Sequence, residues 1–276
     1  MFKKMRLFPV TLIALFVFAC SAGLNLFNDK DEVSMGMQFD KEIRDNPKEY
    51  PIYNGNPAVK IYINSNVFQP ILNSPEIKKA DTYAYQIEII DNDSILNAFA
   101  VPGGYVYIYT GILKYLDSEA SLAGVLAHEI GHVERRHSTQ RITNAYGLSI
   151  LANLALGNNP SQIAEIVANM FTGLSLLANS RINEDESDEY SIKYLKSTKY
   201  YPGAVKFFFE KMRDDGKVAS SSNGIQTFLS THPDPIDRIN STNERLKAMG
   251  IEILSYSSTG SGMYKTEYQK NIKSKL

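Results

Sequence analysis

Apolar positions recur at three- and four-residue intervals over 35–43 and again over 57–72, where Val59, Tyr62, Ile63, Val67 and Ile71 fall on one side. Both spacings predict helices with one buried stripe. The period then changes. Residues 83–90, 96–101 and 105–109 are β-branched and aromatic runs separated by Asp91-Asn92-Asp93-Ser94 and by Pro102-Gly103-Gly104. They predict three short strands, joined by turns into a small antiparallel β-sheet. Tyr105, Tyr107 and Tyr109 share one face of the last strand and Val106 and Ile108 the other, as a two-residue repeat requires. Aligned tyrosines of this kind read as an amphipathic sheet face rather than a ligand platform.

A helical period returns after Asp117-Ser118, either of which can cap it, and runs through Leu122, Val125, Leu126, Ile130 and Val133 to about His137. Two Ala- and Leu-rich stretches follow, 146–156 and 162–178. Each is short, and the second holds Glu165 and Asn169, so buried helices or a flap are expected rather than membrane spans. Helices over 183–196, 204–214 and 235–249 complete an α+β, mainly helical body spanning residues 33–250. Residues 21–32 are polar and acidic and are expected to form a tether. Residues 251–276, Ser- and Gly-rich and then basic, are expected to form a flexible C-terminal tail.

Length and composition narrow the class. The chain has 276 residues, 43% hydrophobic, with only 17 Gly and 11 Pro, enough to bury the core of one domain and incompatible with a disordered or collagen-like protein. Lys and Arg number 29 against 30 Asp and Glu, leaving a net charge of −1 and no overall field to gather nucleic acid. No nucleic-acid partner is expected. The sole cysteine, Cys20, excludes an internal disulfide and a cysteine-rich metal module. Its position matters more. Lys3, Lys4 and Arg6 precede an uncharged run over 7–19, too short to span a bilayer and shaped like a secretory signal. Phe18-Ala19-Cys20-Ser21 looks like a bacterial lipobox, which would make Cys20 the lipidated first residue of the mature chain and residues 1–20 its signal peptide. A plain cleaved signal at the same small residues is the alternative. Ser21 rather than Asp after the cysteine would by analogy favour the outer membrane.

His128-Glu129-Ile130-Gly131-His132 lies in the middle of a predicted helix, so the two histidines project from one face, one turn apart, and can share a metal ion. Imidazole suits zinc, and Glu129 lies beside the pair, placed to act as a general base without being a ligand. Amide hydrolysis is the implied reaction. In the extended HExxHxxGxxH pattern the third ligand would be a histidine at residue 138; this chain has Ser138 there and Arg135 at the glycine position, which excludes that class. Downstream, Glu184 and Asp188 stand at i and i+4 on another predicted helix. Glu184 can supply the third bond to the metal, leaving the fourth position open, while Asp188 can hydrogen-bond the far ring nitrogen of a ligand histidine. Three of the chain's four histidines fall within ten residues. The third, His137, reads as a helix-end residue favourable to the macrodipole, with a supporting role behind a metal-binding ring as the alternative, and Asp185 and Glu186 read as surface charges.

These residues resemble the gluzincin metallopeptidases that include the CAAX prenyl endopeptidases, HtpX and the Oma-type mitochondrial proteases, and most closely the soluble periplasmic lipoproteins of the BepA and LoiP type. The likeness runs from about Val33 to Arg245, on Asn97-Ala98-Phe99-Ala100-Val101-Pro102-Gly103-Gly104, the HEIGH pentapeptide with Arg136-His137-Ser138, and 180–188. Tyr201-Pro202 with Phe207-Phe208, and Thr231-His232-Pro233-Asp234-Pro235 with Arg238-Ile239, extend it. Ser187 and Ser191 depart from the family's usual alanine and glycine. The resemblance implies a zincin-like fold and one Zn2+ per chain on His128, His132 and Glu184, with Glu129 catalytic and Asp188 orienting. It also implies a His232 close to the metal, either steadying an oxyanion or occupying the open coordination position. Asn97, Ala98, Phe99 and Ala100 would form an edge strand that binds extended peptide. No tetratricopeptide-like region is expected after residue 250, so the stand-alone members are the nearer pattern. The expected function is a lipid-anchored zinc endopeptidase on the periplasmic face of the envelope, cleaving unfolded or misassembled proteins. A chaperone-like assembly factor with the zinc plugged by His232, and a purely structural zinc site, are the alternatives.

Overall fold

The computed structural model describes residues 25–146, 161, 165–166, 180–218 and 229–276. Asn28 starts the first helix, α1 (Asp29–Asp45): its side chain accepts from the N–H groups of Lys30 and Asp31, and the Asp31 carboxylate accepts from the N–H of Asn28. This reciprocal cap satisfies donors that a helix end leaves free. Phe27 and Glu32 are buried, so the tether expected through residue 32 is instead folded structure over 25–32. The helix expected over 57–72 is present as α2 (Pro57–Ile63) and α3 (Gln69–Leu72), joined through a π turn at Asn64–Phe68.

The three strands form where expected, as β1 (Gln86–Ile90), β2 (Ala98–Val101) and β3 (Tyr105–Tyr109), but β3 lies in the middle. β2 and β3 make an antiparallel hairpin through Pro102–Gly104, where Gly103 and Gly104 take φ of 76° and 101°. β1 pairs with β3 in parallel. The sheet is therefore mixed, not antiparallel. Successive strands alternate in direction, so the first and third run the same way, and the 91–97 connection carries the chain past the end of β3 to its far side. All five residues of β3 are buried because both faces are covered. Val106 and Ile108 join the larger core; Tyr105, Tyr107 and Tyr109 pack in a second core with Met35, Phe39 and Ile43 of α1.

After α4 (Thr110–Tyr115), Ser118 caps α5 (Glu119–Glu134) by accepting from the Ser121 N–H at 3.1 Å. Every residue of α5 is buried. Gly124 permits this, since a β-carbon there would stand 2.4 Å from the carbonyl group of Ala204. The helix does not continue to His137. Arg136 takes φ of 62°, and the chain turns into α6 (His137–Tyr146). Arg136 is held in that left-handed conformation by donating to Glu32 Oε1 at 2.6 Å and to the Phe27 carbonyl at 2.5 Å.

The body is completed by α7 (Arg181–Leu195), capped by Ser180, then α8 (Val205–Asp214) and α9 (Pro235–Ala248). The expected flexible tail over 251–276 is a correction: it packs, ending in α10 (Lys265–Asn271), with Met263, Tyr268 and Ile272 buried. The carbonyls of Tyr264 and Met263 accept from the N–H groups of Glu119 and Ala120, satisfying donors at the start of α5. Tyr268 donates its hydroxyl to the Leu113 carbonyl at 2.6 Å. Among the described residues no helix is long and apolar enough to cross a membrane. Cys20 and its signal, and most of 146–156 and 162–178, lie outside the described residues.

Candidate metal centre

Helical spacing puts His128 and His132 on one face of α5, and Gly131 lets α7 approach that face: a β-carbon on it would already stand 3.2 Å from Ser187 Cα. Glu184, on α7, then meets both rings. Its Oε1 lies 3.2 Å from His132 Nε2 and its Oε2 lies 3.4 Å from His128 Nε2, while the two Nε2 atoms are 2.9 Å apart. Ligands held at zinc's ~2.0–2.1 Å in a tetrahedron are about 3.3 Å from one another. The donor set therefore fits a divalent cation with only a small spreading of the histidine pair. His232, from the segment before α9, completes a group of four residues whose donor atoms all lie within 4.8 Å of one another.

Each group has a place. Asp188, one turn after Glu184, accepts from His128 Nδ1 at 2.9 Å, as its spacing predicts. Arg238 of α9 clamps both acids, donating from Nε and Nη2 to Asp188 at 2.7 and 2.6 Å and from Nη1 to Glu184 at 2.5 Å, with its guanidinium over the Phe209 ring. Glu129 is 2% exposed, with Oε1 3.6 Å from His232 Nε2. His232 Nδ1 lies 3.0 Å from Glu184 Oε2 and 3.4 Å from His128 Nε2.

Burial and charge set the electrostatics. Burial pushes the Glu129 carboxyl up from its ordinary value, against the pull of His232 and His128. Burial opposes ionisation of Glu184 too, but His232, Arg238 and His128 outweigh it and hold that carboxyl well below its usual range. Burial drives His132 well below an ordinary histidine. For His128 burial and Arg238 act in the same direction but lose to Glu184 and Asp188, which raise it to about 9.

Of the substrate-binding residues expected from sequence, Phe99 and Ala100 line a cavity of about 20 Å³ together with Glu129, His132, Arg141, Thr231 and His232. That volume holds about one water molecule. Asn97 and Ala98 do not reach it; both are 1% exposed, and Ala98 belongs to the main core. Phe99 stacks on Tyr107 at 4.9 Å, and the Ala100 carbonyl accepts from Ser138 Oγ at 3.4 Å.

Two expectations are overturned. His137 does not close α5, where the macrodipole would favour it; it is fully buried as the first residue of α6, with Nδ1 2.8 Å from His132 Nδ1. Glu186 is not a free surface charge, since it contacts His137 Nε2 at 2.9 Å and Arg135 at 2.8 Å. Arg141 and the clamping contacts of Arg238 were also beyond sequence reasoning, because neither falls on a ligand-bearing face by local spacing. The signals for His137 were its closeness in sequence to the HEIGH pentapeptide and its place in the Arg136-His137-Ser138 segment.

Comparison with known proteins agrees with this geometry. Residues 65–246, which contain every donor, match the sequence profile of Peptidase family M48. The chain is 30% identical over 227 residues, 79% of its length, to the beta-barrel assembly-enhancing protease of Escherichia coli K12, and 30% identical over 240 residues, 83% of its length, to that of Yersinia pestis. It is 33% identical over 164 residues, 59% of its length, to the mitochondrial metalloendopeptidase OMA1 of Schizosaccharomyces pombe. The aligned regions span 44%, 46% and 47% of these relatives, so the chain matches less than half the length of each. A profile match across the helices that carry HEIGH, Glu184 and Asp188, together with the convergence of those side chains, establishes that this chain belongs to peptidase family M48.

Proposed function

We propose that the chain is a zinc-dependent endopeptidase of the bacterial cell envelope, hydrolysing peptide bonds in unfolded or misassembled proteins and held at the periplasmic face of the outer membrane by lipid on Cys20. The observation that carries the catalytic reading is the convergence of His128, His132 and Glu184 with a buried carboxylate, Glu129, at the wall of the same cavity. The relatives' names tie them to β-barrel assembly, which supports envelope proteins as the substrate class.

His128, His132 and Glu184 would hold the cation. When bound, it supplies Lewis acidity that polarises a carbonyl and lowers the pKa of water. Glu129 accepts the proton of the attacking water and passes it to the leaving amine; burial raises its proton affinity above that of an ordinary carboxylate. Asp188 fixes the His128 ring, and Arg238 fixes Asp188. β2 is an edge of the sheet, and its backbone is the surface on which an extended substrate pairs, displacing the long contact from Ser138 to the Ala100 carbonyl.

The test is hydrolysis of a denatured protein by the zinc-loaded chain, with and without chelator. Activity should vanish with chelator and in Glu129→Gln; cleavage that survives Glu129→Gln refutes the assigned base. One observation favours a second reading, a chaperone-like assembly factor: His232 Nδ1 sits among the donor atoms, beside a cavity too small for a peptide. His232→Ala separates the two. Activity rises if the histidine is a plug and falls if it supports the oxyanion.

A further inference from the structure

His128 and His132 are both turned so that Nε2 faces Glu184, but their Nδ1 atoms meet different partners. His128 has a carboxylate directly behind it, Asp188 at 2.9 Å. His132 has another histidine, His137, with Nδ1 facing Nδ1 at 2.8 Å, and behind that ring Glu186 Oε2 at 2.9 Å from Nε2. Glu186 is itself fixed, because Arg135 donates to its Oε1 at 2.8 Å. Ser187 Oγ lies 3.3 Å from His137 Nδ1, a longer contact than the one from His132.

We propose that His137 and Glu186 are positioning residues, a carboxylate–imidazole relay that fixes the tautomer and orientation of His132. The inference rests on the metal-site reading above and extends it to residues outside the donor set. Its logic is a proton count. A ligand histidine gives the Nε2 lone pair to the cation, so its proton must sit on Nδ1. At 2.8 Å, two facing Nδ1–H groups would repel and two facing lone pairs would leave the bond unmade. With the proton on His132 Nδ1, His137 Nδ1 must be the acceptor. The His137 proton is thereby placed on Nε2, where the Glu186 carboxylate accepts it. One metal-facing lone pair thus determines every proton along the row, and both ligand rings end on an acid: His128 directly, His132 through one intervening ring.

The fold is built to hold that ring. His137 would continue along α5 and point away from His132 if Arg136 were helical. The left-handed turn at Arg136, locked by Glu32 of α1, brings residue 137 back beneath residue 132. The row is continuous from the partly exposed pair of Arg135, at the end of α5, and Glu186, on α7, to the buried donor atoms.

The test uses the zinc-loaded full chain. Long-range proton–nitrogen NMR of the ring nitrogens should report His132 protonated on Nδ1 and His137 on Nε2; a His137 proton on Nδ1 overturns the proposal without any substitution. Zinc affinity is then measured by chelator competition. His137→Phe, which keeps the ring's size but has no acceptor, should weaken zinc binding about 10- to 100-fold, the usual effect of losing an outer partner of a ligand histidine. His137→Asn, with an oxygen near the former Nδ1, should recover most of that loss, and Glu186→Gln should fall between Asn and the wild type. A His137 that merely fills space would lower the melting temperature of the chelator-treated protein and leave zinc affinity unchanged, and that outcome also overturns the relay. If the unsubstituted chain binds no zinc, the metal-site reading fails and this inference with it; binding that is indifferent to His137 defeats the relay alone.

Discussion

Arg238→Met is the substitution whose cost the structure defines most sharply. The guanidinium is 5% exposed and makes three charge-assisted contacts of 2.5 to 2.7 Å with Asp188 and Glu184, which are each 1% exposed. Methionine keeps an apolar stem against Phe209 but takes from two buried carboxylates the guanidinium that they share, leaving only histidines beside them. Removing one partner from a buried pair of this kind destabilises by about 3–5 kcal/mol. At roughly 2–4 °C per kcal/mol for a chain of this size, the melting temperature should drop by about 6–20 °C. Arg245→Met is the internal control. Arg245 joins the same two helices through Asp185 at 2.6 Å, but the Asp185 side chain is 51% exposed. Solvent screens that pair, so its loss should be worth less than about 1 kcal/mol. Both variants are measured by urea and thermal unfolding in chelator at neutral pH, then again with zinc, where the Arg238 effect should shrink because Glu184 shares its charge with a cation. The pH dependence has a fixed sign. Burial opposes ionisation of Asp188, but Arg238 holds its carboxyl below the ordinary value of 3.8. Its contribution is present above that value and is lost as pH falls through the depressed one, so the wild type and Arg238→Met should converge in acid. A cost no larger than that of Arg245→Met would refute the reasoning.

Three further outcomes are expected. Gly124→Ala should prevent folding or sharply lower the melting temperature, because its β-carbon meets backbone atoms of Ala204 at 2.4 Å that cannot yield; Gly131→Ala, at 3.2 Å from Ser187 Cα, needs a shift of only a few tenths of an ångström and should remain folded by circular dichroism. Glu129→Gln should raise the melting temperature of the chelated protein at neutral pH by a few degrees, the gain expected when a strained functional group is relieved. Its carboxyl is pushed up by burial, so ionisation at neutral pH opposes folding, and an unchanged or lower melting temperature would contradict that sign. Tyr268→Ala should cost about 3–5 kcal/mol in urea unfolding, as for other buried aromatic truncations, because the ring is fully buried and its hydroxyl bonds the Leu113 carbonyl. A flexible tail would predict no change.

The readable parts were those encoded by local spacing. A 3.6-residue period in 119–134 places His128, Glu129 and His132 on adjoining positions of one helix, and the same period places Glu184 and Asp188 together on another. Those relations hold in any fold that keeps the two helices, which is why the donors could be named before their meeting was seen. The alternation in β3 likewise sorts its tyrosines from Val106 and Ile108, as the two cores bear out.

What required the tertiary structure depends on chain reversals and on contacts distant in sequence. Strand periodicity is blind to neighbour order, so it could not tell that β3 would lie between its partners and make the sheet mixed. The Ser- and Gly-rich tail looked mobile because its value lies in backbone carbonyls that satisfy the first N–H groups of α5, and composition does not report where carbonyls will point. Spacing left His137 between a helix end and a place behind a metal-binding ring, because helical continuation is the default after HEIGH. Glu32 and the Phe27 carbonyl, over a hundred residues earlier, hold Arg136 in the left-handed turn that returns the imidazole to His132. Sequence alone determined which side chains could bind a metal; packing among α1, α5, α7 and α9 decided which others would hold them there, because the energy of a buried hydrogen bond belongs to neighbours in space and leaves no period along the chain.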